Sequence, residues 1–176
     1  DPPRPPRTEA EPHSNPYLGN RHLVRIHLAS VLLVVPQFAV WTFMLVWLQV
    51  GRDWSPEAAG SLVATAQILG ALGRIGAGTL SDLVGSRVQP MAWVAASAGL
   101  TMGSLGVAIE NDWMLAVPLM MLASVVTVAD NGLAFTEVAE HAGPYWGGRA
   151  LGLQNTGQYL TASAVPPVIG AVIPLW

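Results

Sequence analysis

Five long apolar runs, at about residues 26–50, 57–80, 90–109, 113–138 and 149–173, dominate this chain. Each is near or above the ~20 residues a helix needs to cross the hydrocarbon layer of a bilayer. Lipid offers no partners to backbone N–H and C=O groups, so only helices and closed barrels span it. The runs are continuous rather than alternating, which selects helices. The expected fold is therefore all-α, a polytopic transmembrane bundle of five spanning helices over residues 21–176. Composition agrees, with 52% hydrophobic and only 11% charged residues in 176; a soluble domain carries about 25% charge.

Residues 1–20 differ from the rest. They are rich in Pro and carry Arg4, Arg7, Glu9 and Glu11. Such a stretch cannot bury a core and reads as a disordered or extended linker. It has no apolar centre, so it is not a signal peptide. The chain starts at Asp1 rather than Met and stops at Trp176 right after an apolar run. The expectation is a piece of a longer protein.

The joints between the runs are short: 51–56, 81–89, 110–112 and 139–148. Ser55-Pro56-Glu57 supplies an N-cap residue, a proline at the first helical position and an acid in the first turn. Pro90 is expected to open the third span in the same way. Arginine sets the orientation. With the N-terminus in the cytoplasm, Arg4, Arg7, Arg21, Arg25, Arg74, Arg87 and Arg149 lie on or near that side, and Arg52 alone lies outside. That is the positive-inside pattern. Trp54, Trp113 and Trp176 then fall at the outer interface, and Trp93 and Trp146 at the inner one. The chain reads as an integral protein of the plasma (inner) membrane with the lipid bilayer as its solvent.

Several function classes drop out. No basic patch is interleaved with aromatics, so no nucleic acid is expected as partner. There is no Cys, hence no disulfide framework and no thiolate metal site. His13, His22, His27 and His141 are scattered and read as solvated or interfacial, with no metal and no cofactor. The run Leu72-Gly73-Arg74-Ile75-Gly76-Ala77-Gly78 lacks the phosphate-loop spacing and lies inside a span. Its glycines, with Gly70, Gly99, Gly103 and Gly106, suit close helix–helix approach. No Ser/His, paired-acid or zinc-protease arrangement occurs in the spans, so the chain is not read as an enzyme.

One polar turn stands out, Gly78-Thr79-Leu80-Ser81-Asp82-Leu83-Val84-Gly85-Ser86-Arg87, between the second and third runs. Gly78, Asp82, Gly85 and Arg87 match the spacing G-x-x-x-D-x-x-G-x-R. This resembles the signature loop of the major facilitator superfamily of secondary transporters, departing at Leu83 and Ser86, where a base is usual. Weakened copies of this kind belong to the C-terminal half of such transporters. The resemblance implies that the five spans correspond to helices seven to eleven of twelve, and that residues 1–20 connect two halves. Gly148-Arg149-Ala150-Leu151-Gly152 and Pro166-Pro167-Val168-Ile169-Gly170 also look like the family's eleventh helix. It further implies alternating access for a small organic solute, with two six-helix halves rocking about a central site. The partner would be an absent N-terminal half, with Asp82 latching one state against it and Arg149 facing it. The alternative is that Asp82 and Arg87 only cap and solvate a hairpin.

Polar residues inside spans are costly and default to functional candidates. Gln37 and Trp41 share a face of the first span with Met44. Gln67 and Arg74 lie on the second, Asp130 and Asn131 on the fourth, and Gln154, Asn155 and Gln158 on the fifth. Together they outline a polar path rather than a dry bundle. Arg74 lies about 12 Å along its helix from Asp82, and Asp130 is at matching depth, so an Arg74–Asp130 pair is expected. Asp130 is the only acid well inside a span, which leaves protons open as a coupling partner. Pro36, Pro118, Pro166 and Pro167 are expected to kink their helices. The competing reading is a non-transporting membrane scaffold whose helices bind a partner.

Overall fold

The computed structural model describes residues 15–18 and 21–172. The expected linker 1–20 and Trp176 thus fall largely outside the described residues. Within them the chain is all helix, with no strand. The elements are α1 (His22–Val46, extended by one π turn, Trp47–Gly51), α2 (Pro56–Val84), α3 (Val88–Glu110), α4 (Ala116–Val126) and α5 (Asn131–Val172).

α5 is two arms joined at Gly143, which has φ 69° and ψ 178°. A straight helix would separate Asn131 from Gln158 by about 40 Å. Instead the Gln158 amide donates to Asn131 Oδ1 at 3.5 Å, so the arms fold back on each other. Pro144 begins the second arm, where a missing N–H costs nothing. The expected 139–148 joint is therefore a one-residue hinge, and the fifth span starts earlier than its apolar run. The fourth span is α4 plus the first arm of α5, interrupted by turns at 127–130.

The start of α2 is as expected: Ser55 Oγ accepts from the Ala58 amide at 3.2 Å, with Pro56 at the first position. Its end is not. The helix runs on to Val84, so most of the Gly78–Arg87 motif is helical and only Gly85–Arg87 form the turn. Gly85, at φ 68°, caps α2, and the Gly85 and Ser86 amides both reach the Ser81 carbonyl. α3 begins at Val88, ahead of Pro90. Pro118 lies in the first turn of α4 and interrupts nothing, whereas Pro36, Pro166 and Pro167 are inside helices.

Two apolar clusters hold the bundle together. One, near the loop between α2 and α3, gathers Leu23, Ile26, Met91, Leu133 and Val138; the other, at the opposite end, gathers Met44, Leu48, Leu105 and Met120. Outward faces are apolar too: Leu32, Ile68, Ile75 and Leu100 are exposed. Among the described residues, four helices are long and apolar enough to cross a membrane, the last being α4 and α5 taken together. Such surfaces suit lipid, which solvates apolar side chains as a core does. Gly70 and Gly73 do allow close approach, to Val128 and Val125, but Gly76, Gly78, Gly99, Gly103 and Gly106 have no neighbour that would obstruct a β-carbon.

Candidate functional site

α1 meets both arms of α5 along a buried polar seam. Gln37 Oε1 accepts from the Asn131 amide at 3.2 Å. Gln158 donates to Ser30 and to Asn131, and His27 bonds Gln154. Gln37, Gln154 and Gln158 are all buried. Buried amides need such partners, because desolvation is not otherwise repaid.

At this seam lies an open cavity of about 280 Å³. Gln37, Asn131 and Gln158 form its floor, and Trp41, Arg74, Asn155 and Tyr159 are on its more exposed rim. Six of the nine residues expected to line a path thus converge from α1, α2 and both arms of α5. Gln67, Asp130 and Gln154 do not line it. Gln67 is exposed on α2, and Gln154 is drawn into the seam by His27. Phe38, Phe135 and Tyr159 also line the cavity; Phe135 shares a helix face with Asn131 at i+4, whereas Phe38 and Tyr159 are immediate neighbours of Gln37 and Gln158.

The expected Arg74–Asp130 ion pair is not formed. Arg74 Nε donates instead to the Val128 carbonyl at 3.3 Å. Asp130 is 1% exposed, and neither carboxylate oxygen has a hydrogen-bond partner among the described residues. The turns at 127–130 present the Val128 carbonyl, two residues before Asp130, to Arg74.

A second, larger cavity of about 460 Å³ sits at the turn between α2 and α3, lined by Ser81, Asp82, Gly85, Ser86, Arg87, Val88, Glu137, Glu140 and His141. Arg87 is the cation in its lining. It pairs with Asp82 at 2.5 Å and Glu140 at 3.4 Å, and donates to Ser81 Oγ at 3.0 Å. The Asp82 hydrogen bond holds the Arg87 guanidinium more firmly in its charged form, raising its pKa. Asp82 thus has a partner within its own turn. Gly78, one helical turn earlier, is outside the cavity. Arg149 lies over the Trp146 ring at 5.1 Å and is exposed. Glu137 is buried against His22 and His141; His141 is one helical turn away, whereas the part of His22 was concealed by its distance in sequence.

The sequence model of the Major Facilitator Superfamily matches residues 1–166. The chain is 50% identical, over 98% of its length, to an uncharacterized MFS-type transporter of Mycobacterium tuberculosis strain H37Rv. It is 49% identical to an uncharacterized MFS-type transporter of the CDC 1551 strain. The chain spans 39% of the length of each relative. No solved structure matches it.

Proposed function

The chain belongs to the major facilitator superfamily, and from that premise we propose that it contributes one wall of a secondary transporter that moves a small organic solute by alternating access. One observation carries the reading. An open concavity with amide groups at its floor and an arginine at its rim lies where α1, α2 and both arms of α5 meet. Polar groups within membrane-crossing helices are expensive unless they face a partner, a cavity or a substrate. Gln37, Asn131 and Gln158 present hydrogen-bonding groups, Arg74 and Asn155 add donors at the rim, and Trp41 and Tyr159 supply flat apolar faces. This mixture suits a solute with both apolar and polar or anionic parts.

A second six-helix half, packed over the concavity, completes the site. The Gly78–Arg87 motif works as the gate. In the state described, Asp82 is held by Arg87, and alternating access exchanges that partner for one on the other half. Arg149, exposed on the second arm of α5, faces the same half. Arg21, Arg25, Arg87 and Arg149 belong to the end that carries the turn, and the positive-inside rule makes it cytoplasmic.

The test is uptake and efflux by the full-length protein across a panel of metabolites, with and without a proton gradient, for the native protein and for Arg74→Ala and Asn155→Ala. Transport lost in both variants, with folding intact, supports the reading. Native transport that both variants retain unchanged removes the concavity from the path. The gradient arm decides whether protons are the coupling ion.

A further inference from the structure

Among the described residues, Glu137 is the most buried acid at the end of the bundle that carries the Gly85–Arg87 turn, with its side chain 5% exposed. A carboxylate so placed needs compensation. It receives two imidazoles on one carboxylate oxygen, one from α1 and one from its own helix. His22 Nε2, on the first turn of α1, is 2.6 Å from Glu137 Oε1. His141 Nδ1, one turn further along the first arm of α5, is 3.2 Å from the same oxygen. The two rings are 4.3 Å apart, centroid to centroid. One ligand atom from each of the three residues lies within 4.8 Å of the other two.

We propose that His22, Glu137 and His141 form a binding site for zinc or a closely similar divalent transition metal, clamping α1 to the first arm of α5. Two imidazoles and one carboxylate are a donor set that zinc uses with a fourth position left open. Imidazole disfavours magnesium and calcium, which take oxygen ligands. Tetrahedral zinc at about 2.0–2.1 Å from each ligand sets ligand atoms about 3.3 Å apart. The separations from Glu137 are 2.6 and 3.2 Å and all three ligand atoms lie within 4.8 Å of one another, so side-chain rotation of about an ångström sets the ligands at that spacing. The metal takes the place of the hydrogen bond between His22 and Glu137. The cavity lined by Glu137, Glu140, His141 and Arg87 gives it a route in and leaves room for water at the open position. Glu137 and His141 are four apart on one helix, so the same face presents both, while His22 makes the site depend on helix packing.

The site is independent of the transport reading, and its test reads binding alone. The full-length protein, purified in detergent without a polyhistidine tag and stripped with chelator, is titrated with Co²⁺ and with Zn²⁺. The expected result is one metal per chain, a four-coordinate Co²⁺ visible spectrum that Zn²⁺ abolishes, and a Zn²⁺-dependent rise in melting temperature. His22→Ala, Glu137→Gln and His141→Ala each weaken Zn²⁺ binding at least about tenfold, and His141→Cys, which keeps a ligand, restores it. Zinc affinity equal in the native protein and the three variants overturns the site, and leaves His22, Glu137 and His141 as a hydrogen-bonded packing cluster. Should a variant fail to fold, the native protein decides alone: no four-coordinate Co²⁺ spectrum, no site.

Discussion

A β-carbon added to Gly73 would sit 2.9 Å from Val125 Cγ1, whereas one added to Gly76, on the same helix, would meet nothing within 4 Å. Valine cannot turn away easily, because branching at its β-carbon restricts it. Gly73→Val therefore lowers the stability of the bundle by about 1–3 kcal/mol, and Gly76→Ala is neutral or mildly stabilising, since alanine is the better helix former by about 1 kcal/mol. Melting of the full-length protein in detergent measures both. Gln158 carries a different load. It bonds Ser30 on α1 and Asn131 on the other arm of α5. Gln158→Leu leaves both without that partner and costs about 0.6–2 kcal/mol, a loss that Asn131→Ala in the same chain should partly absorb. Strictly additive melting shifts would count against the network.

At the scale of elements, the decisive residue is Gly143. Its φ of 69° and ψ of 178° lie where only glycine is comfortable. Gly143→Ala should cost about 1–3 kcal/mol, and hydrogen exchange should rise around residues 139–147 while α3 stays protected. Equal protection in the variant would show that the hinge tolerates a side chain. The α2 N-cap is a second such point: Ser55→Ala removes the bond to the Ala58 amide and costs about 1 kcal/mol. The apolar runs announced where helices cross, but not how far they extend. α2 absorbs most of a motif that reads as a turn, because Asp82, Leu83 and Val84 have no reason to leave a helix until Gly85 supplies a left-handed cap. The fourth and fifth spans are joined by one residue rather than ten, because Gly143 makes the whole turn and Pro144 sits at the start of the second arm, where its missing N–H costs nothing.

At the scale of the whole molecule, the Asp82–Arg87 pair is the natural lever. The pair is largely exposed on the Asp82 side, so its direct contribution to stability is small. Asp82→Asn should therefore leave melting within about 1 kcal/mol of native while changing the balance between transport states, read as altered protease or thiol-probe accessibility at the two ends of the full-length protein. Unchanged accessibility at both ends would remove the motif from gating. Such a state shift needs only a small free-energy difference, since two packings of one bundle lie a few kcal/mol apart.

By itself, the sequence determined the class of molecule: helices, a membrane, a family and the residue types of a polar path. Those follow from hydropathy, run length and local spacing, which neighbours along the chain control. Tertiary structure alone decided which polar groups meet. Gln37, Asn131 and Gln158 converge only because α5 turns back at Gly143. Arg74 finds the Val128 carbonyl rather than Asp130 because turns interrupt the fourth span there. His141 meets Glu137 by helix spacing alone, but His22, 115 residues away, reaches it only through the packing of α1 on α5. Helix periodicity tells which face a residue occupies, but a contact between faces depends on how helices are rotated and tilted against one another, and packing of the whole bundle sets that.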